Sequence, residues 1–100
     1  MIRHIVCWKV VDRLEGMSHE EIIQEMKRQL ESLPDKIKEI KGFEVGVNHN
    51  ISSNAYDVSL YSTFESKEDL SNYASHPEHM KVGTFIKKAA SKRVVVDYEI

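Results

Sequence analysis

The opening segment, Ile2 to Val11, reads as a strand that is apolar on both faces. Its even positions are Ile2, His4, Val6, Trp8 and Val10; its odd positions include Ile5, Cys7 and Val11. Successive side chains of a strand point to opposite faces, so alternation this weak leaves neither face for water. A strand of that kind needs cover on both sides. The chain has 100 residues, enough for one core but not two, and a single domain over 1–100 is expected. The cover must therefore come from few elements, or from a second copy.

The remaining elements follow from capping and periodicity. Ser18-His19-Glu20-Glu21 is a capping box that opens a helix, with Met17 and Ile22 placed as a hydrophobic staple. Ile22, Ile23, Met26, Leu30 and Leu33 fall on one helical stripe, and Pro34 ends it. Pro34 to Lys41 is an irregular connection docked by Ile37 and Ile40. Gly42 leads a second strand with Phe43, Val45, Val47 and His49 on one face. Asn48 to Ala55 is turn chemistry. Tyr56 to Glu65 alternates as a third strand, with Tyr56, Val58, Leu60, Ser62 and Phe64 pointing one way. Ser66-Lys67-Glu68-Asp69 caps a second helix that starts at Leu70 and is broken at His76-Pro77, where Pro77 suits the first position of a renewed helix. Arg93 to Ile100 is the last strand.

The order β-α-β-β-α-β suggests an α+β class, a ferredoxin-like sheet with helices on one face. Ile5, Cys7, Val11, Phe43, Val45 and Val95 are then too many apolar strand residues for two helices to cover. Packing the open face against an identical sheet solves this, and a two-fold homodimer is the simplest closed arrangement. The face carrying His4, Trp8, Tyr56, Val58 and Leu60 should lie under the helices and host any pocket.

Composition removes several function classes. Fourteen basic against sixteen acidic residues give a net charge of −2, which offers no electrostatic reason to bind nucleic acid or an anionic membrane. The densest basic stretch, Lys87-Lys88 with Lys92-Arg93, reads as a solvated helix end favoured by the helix dipole. No apolar run approaches the roughly 20 residues of a membrane span, and no signal-peptide pattern opens the chain. Cys7 is the one cysteine, so a reducing cytoplasm is the expected location.

The chain resembles the stress-responsive A/B barrel, or Dabb, family. The likeness rests on Ile2-Arg3-His4-Ile5-Val6, Tyr56-Asp57-Val58-Ser59-Leu60, Phe64-Glu65-Ser66, Tyr73-Ala74-Ser75-His76-Pro77-Glu78-His79 and Val94-Val95-Val96-Asp97-Tyr98, in that order. It implies a dimeric α/β barrel of two ferredoxin-like subunits. Most of the family has no assigned activity; a plant polyketide cyclase within it performs an aldol-type ring closure with a tyrosine and a histidine. Those roles would fall on Tyr73 and His79. The sequence departs from that enzyme at Val58, where it presents another cavity histidine, and at Ala90, where it has a cavity tryptophan.

Tyr73 and His79 suit proton abstraction next to a carbonyl: imidazole is a base near neutral pH, and a phenol can donate to a developing enolate oxygen. Each also has a plainer reading, Tyr73 as core and His79 as a surface or capping residue. His4 reads as a hydrogen-bonded core histidine that could orient a base or bind a substrate oxygen. His76 could face the same pocket or simply cap the helix after it. His76 and His79 lack a third ligand, so no metal site is expected. No glycine-rich phosphate loop, HExxH or GxSxG motif is present, and no cofactor is expected. Three functions fit: a dimer holding a small organic molecule between helices and sheet, an acid/base enzyme of cyclase, isomerase or lyase type, and a structural assembly unit.

Overall fold

A computed structural model describes all residues from Met1 to Ile100. The elements are β1 (Ile2–Val10), β2 (Arg13–Leu14), β3 (Met17–Ser18), α1 (His19–Glu31), β4 (Gly42–Val47), β5 (Val58–Phe64), α2 (Lys67–Ser75), α3 (Pro77–Ala89) and β6 (Ala90–Glu99). The four long strands form one sheet in the order β4-β5-β1-β6, with every neighbouring pair antiparallel. β1 and β4 thus run parallel with β5 inserted between them, the split βαβ arrangement of a ferredoxin-like α+β fold. No helix is long and apolar enough to cross a membrane.

The helices pack on the sheet face built from the even positions of β1. Ile2, Val6, Trp8 and Val10 are buried there, with Val58, Leu60 and Phe64 of β5. α1 lays Ile22, Ile23, Met26 and Leu30 over them. Leu33 and Ile37 in the connection after α1 are equally buried. Its start carries the full capping box: the Ser18 hydroxyl accepts from the Glu21 N–H at 3.3 Å, and Glu21 Oε1 accepts from the Ser18 N–H at 2.9 Å. Before it lies a hairpin that the hydrophobic pattern does not reveal, β2 with β3. Its two-residue turn is Glu15-Gly16, both at positive φ (50° and 83°), the backbone that suits a tight hairpin.

Register overturns part of the expected division of faces. Phe43 lies opposite Ser62, Val45 opposite Leu60 and Val95 opposite Val6. Directly paired residues share a face, so all three project toward the helices and not onto the open face. A one-residue change of register moves a whole strand's set from one face to the other, and the sequence alone does not fix it. The open face instead has Ile5 between Tyr61 and Val96, Cys7 between Ser59 and Val94, and Arg3 between Thr63 and Tyr98. Tyr61 is 39% exposed and Val96 57%, an apolar stripe across the middle of a bare sheet.

Three boundaries also differ from expectation. β5 begins at Val58, leaving Tyr56 in the connection before it, α2 begins at Lys67, directly after its Ser66 cap, and β6 begins at Ala90, directly off the end of α3. Replacing Ser18 by Ala removes one half of the capping box and should lower the unfolding free energy by about 1 kcal/mol in urea titration. An unchanged midpoint would mean that the box does not support the folded state.

Candidate functional site

A partly enclosed cavity of about 200 Å³ lies between α2, α3 and the helix-facing side of the sheet. β1 supplies His4, Val6 and Trp8 to its wall, β5 supplies Leu60, and α2 supplies Tyr73. α3 adds His79, Val82, Gly83, Ile86 and Lys87, α1 adds Leu30, and Arg93 arrives from β6. The volume is below the roughly 300 Å³ at which drug-sized pockets begin, so its scale is that of a small organic molecule.

Tyr73 sits at the centre of this group. It is the buried residue of α2, with its ring centroid 5.0 Å from Phe64, 6.2 Å from His4 and 4.5 Å from His79. Burial pushes the phenol pKa well above its ordinary value, while the positive charge of Arg93 works weakly the other way. The hydroxyl therefore stays protonated and acts as a donor. It reaches this place because Ser66 caps α2, its hydroxyl accepting from the Asp69 N–H at 3.1 Å, which sets the helix phase that turns Tyr73 inward.

His79 comes from the next helix. One of its ring nitrogens, Nδ1, is 2.9 Å from the carbonyl oxygen of Ala74. A carbonyl can only accept, so Nδ1 carries the proton and Nε2 of the neutral ring is left with its lone pair. Burial holds the imidazole pKa below its ordinary value. The bond to Ala74 opposes that shift, and the nearby His4, Arg93 and His76 reinforce it. The neutral, proton-accepting form is thus the favoured one. The break between α2 and α3 makes the meeting possible: His76 ends one helix and begins the other, and Pro77 takes the first position of α3.

His4 is fixed by a partner far away in the chain. Its Nδ1 is 2.5 Å from Oδ1 of Asp97, directly opposite it on β6. A carboxylate accepts, so Nδ1–H donates and Nε2 is the free nitrogen. Ser62, opposite His4 on β5, is fully buried and donates its hydroxyl to the His4 carbonyl at 3.1 Å. Strand ladders on both sides and two side-chain contacts leave this histidine little freedom.

Among the residues singled out from sequence, the fold gathers His4, Trp8, Leu60, Tyr73 and His79 around the cavity. It does not bring the other three there. Tyr56 lies in the connection before β5, beneath the Lys9 ammonium at 5.3 Å from the ring centroid, and lines a separate open groove. Val58 faces the helices but is packed in the core, touching that same groove and not the cavity. His76 spends its Nδ1 as an acceptor for the Glu78 N–H at 3.1 Å and serves as the cap of α3. No three His, Cys, Asp or Glu side chains converge where a metal could be held.

Asp97 has no role in the sequence reading, and Lys87 and Arg93, read there only as part of a solvated helix end, also stand at the cavity. Lys87 and Arg93 are exposed, as are Lys88 and Lys92, and in addition border the cavity, while Lys88 pairs with Glu15 at 2.9 Å. The parity of β6 would have revealed both Arg93 and Asp97, given its pairing with β1. A larger open trough of about 580 Å³ near His19 and Asp57 is of another kind. There His19 Nδ1–H donates to the Val11 carbonyl at 3.1 Å and Asp57 Oδ2 accepts from the Val10 N–H at 2.8 Å, contacts that tie loop to strand.

With this geometry in place, comparison with known proteins is informative. The family described as Stress responsive A/B Barrel Domain matches residues 2–100. The stress-response A/B barrel domain-containing protein HS1 of Arabidopsis thaliana is 30% identical over 100 residues, covering 98% of this chain and 88% of HS1. A dimeric protein of unknown function with a ferredoxin-like fold from Bacteroides fragilis is 34% identical with a TM-score of 0.86, covering 99% of this chain and 95% of that one. The crystal structure of At3g17210 from Arabidopsis thaliana is 28% identical with a TM-score of 0.81, covering 100% and 95% of the two chains. Sequence, fold and extent agree: the chain belongs to the stress-responsive A/B barrel domain family.

Proposed function

We propose that this chain is a small-molecule acid/base enzyme that acts at a carbon next to a carbonyl, within the cavity between helices and sheet. One observation carries the reading. Tyr73 and His79 meet with ring centroids 4.5 Å apart in a cavity wall, one held as a proton donor and the other as a proton acceptor. Pairs of titratable groups driven apart in this way are the mark of acid/base assignments.

His79 Nε2 takes the proton from the acidic carbon. The C–H electron pair becomes the C=C bond of an enolate, and the carbonyl π pair moves to oxygen. The Tyr73 hydroxyl donates a hydrogen bond to that oxygen, where negative charge develops. His4, aimed by Asp97, hydrogen-bonds a substrate oxygen through Nε2. Cyclisation, isomerisation and cleavage differ only in what the enolate carbon does next and where the proton on His79 returns.

Each side chain gives a test. Tyr73→Phe and His79→Ala should each lower turnover of β-keto thioesters, screened as a panel, by about 100-fold or more, with unchanged circular dichroism. Unchanged turnover in both variants would remove Tyr73 and His79 as the reacting pair, and no turnover of the panel by the parent chain would leave a cavity that binds without reacting. The same panel should show an acid limb of the pH–rate profile below the ordinary histidine value, because His79 must be neutral to act and burial keeps it so. Stability should follow the same sign. The unfolded chain takes up this proton at higher pH than the native one, so the contribution of His79 is full above the unfolded value and is lost as pH falls through the native one. An acid limb at or above the ordinary value would remove His79 as the base.

The working form is a homodimer joined through the open sheet face. The apolar stripe of Ile5, Tyr61, Val94 and Val96 supports this, as does the dimeric state of the Bacteroides fragilis relative. Light scattering should find monomers for Ile5→Asp and Val96→Asp; persistent dimers in both variants would place the interface elsewhere.

A further inference from the structure

We propose that the cavity is built for a ligand with an apolar body and a carboxylate end, the carboxylate being held at the mouth by Arg93, Lys87 and the indole N–H of Trp8. This rests on the reading that the cavity binds a small organic molecule, and it goes further by naming the ligand's chemical class. Every full charge on the cavity wall is positive: Lys87 and Arg93 border it, and no Asp or Glu does. Neither cation takes part in an ion pair. Both are exposed at the rim, while the interior is Val6, Leu30, Leu60 and Val82.

Trp8 supplies the second, independent observation. It is 4% exposed, lines the cavity, and its Nε1–H is the buried side-chain donor left without a hydrogen-bond partner. Folding strips water from that N–H and returns nothing, a cost that an acceptor brought by a ligand would offset. Register ties the two observations together. Trp8 lies directly opposite Arg93 in the β1–β6 ladder, so indole and guanidinium rise side by side from the same sheet face. The Arg93 charge is also felt at both Tyr73 and His79, which places it toward the acid/base pair and not away from it.

The donor geometry favours a carboxylate. A guanidinium fork matches its two oxygens, and one N–H from an adjacent indole can serve a remaining lone pair. A phosphate dianion would want more: serine or threonine hydroxyls, or a glycine-rich run of backbone N–H groups, and the cavity wall has neither. The small volume and apolar interior then accommodate the body attached to that carboxylate.

The test uses the whole chain, titrated with hexanoate, benzoate and phenylacetate and with their neutral amides, and read by calorimetry and by the Trp8 indole N–H resonance. At least one carboxylate should shift that resonance and bind about tenfold or more tightly than its amide, the worth of one charge-assisted contact. Arg93→Gln should abolish the preference while leaving amide binding unchanged, and Lys87→Gln should reduce it. Equal binding of acids and amides, or a preference that survives Arg93→Gln, would overturn the carboxylate assignment and leave the cavity as a binding site. If no compound shifts the Trp8 resonance up to millimolar concentration, the assignment and the binding reading it rests on both fall.

Discussion

β1 hydrogen-bonds on both sides along almost its whole length, to β5 over residues 2–8 and to β6 over residues 2–10. That double ladder decides which side chains can meet. It fixes Ile2, His4, Val6, Trp8 and Val10 toward the helices, and through direct pairing it carries Leu60 and Ser62 from one neighbour and Arg93 and Asp97 from the other to the same face. The core and the cavity are both consequences of this parity. A slip of one residue in the β1–β6 ladder would send Asp97 away from His4 and Arg93 away from Trp8. Each odd residue of β1 faces outward by the same rule, so the bare apolar stripe and the cavity wall are set together.

The cavity has its chemical character because burial acts oppositely on two neighbours. Removing water disfavours charge on either group, which holds the phenol of Tyr73 in its donor form and the imidazole of His79 in its acceptor form. No acidic partner is needed at that pair. The fixed dipole of the Ala74 carbonyl, 2.9 Å from His79 Nδ1, chooses which ring nitrogen keeps its lone pair. Asp97 accepts from His4 Nδ1–H and orients that ring in the same way. Two histidines on one wall are thereby aimed by two different acceptors.

Local features were legible in the sequence and non-local ones were not. Ser18 with Glu21, Ser66 before α2 and Pro77 after His76 each announce a helix start through chemistry spanning a few residues, and the helices begin there. Tyr73 and His79 were singled out as a pair through the family resemblance, and their nearness across one break lets α2 and α3 bring them together. The partner of His4 is 93 positions away and depends on the strand ladder, so no local pattern shows it. The faces of β4 failed for the same reason: Phe43 and Val45 are apolar, but which way they point is settled by register against β5. Tyr56 misled because its alternation matches β5 beyond the point where pairing stops. The Glu15-Gly16 hairpin escaped notice because two-residue strands carry no periodicity to read.

His76 is the whole connection between α2 and α3, closing one helix with its backbone and opening the other with its ring. The donor and the acceptor of the cavity therefore ride on two separate rigid rods that meet at a single residue. The tilt of α3 is then a coordinate along which the distance between Tyr73 and His79 changes while the sheet beneath stays as it is. Substitutions along α3 outside the cavity wall, at Phe85 where it rests on the core, act on that coordinate. Through it, one scaffold can be retuned for substrates of different thickness without a change in the reacting groups themselves.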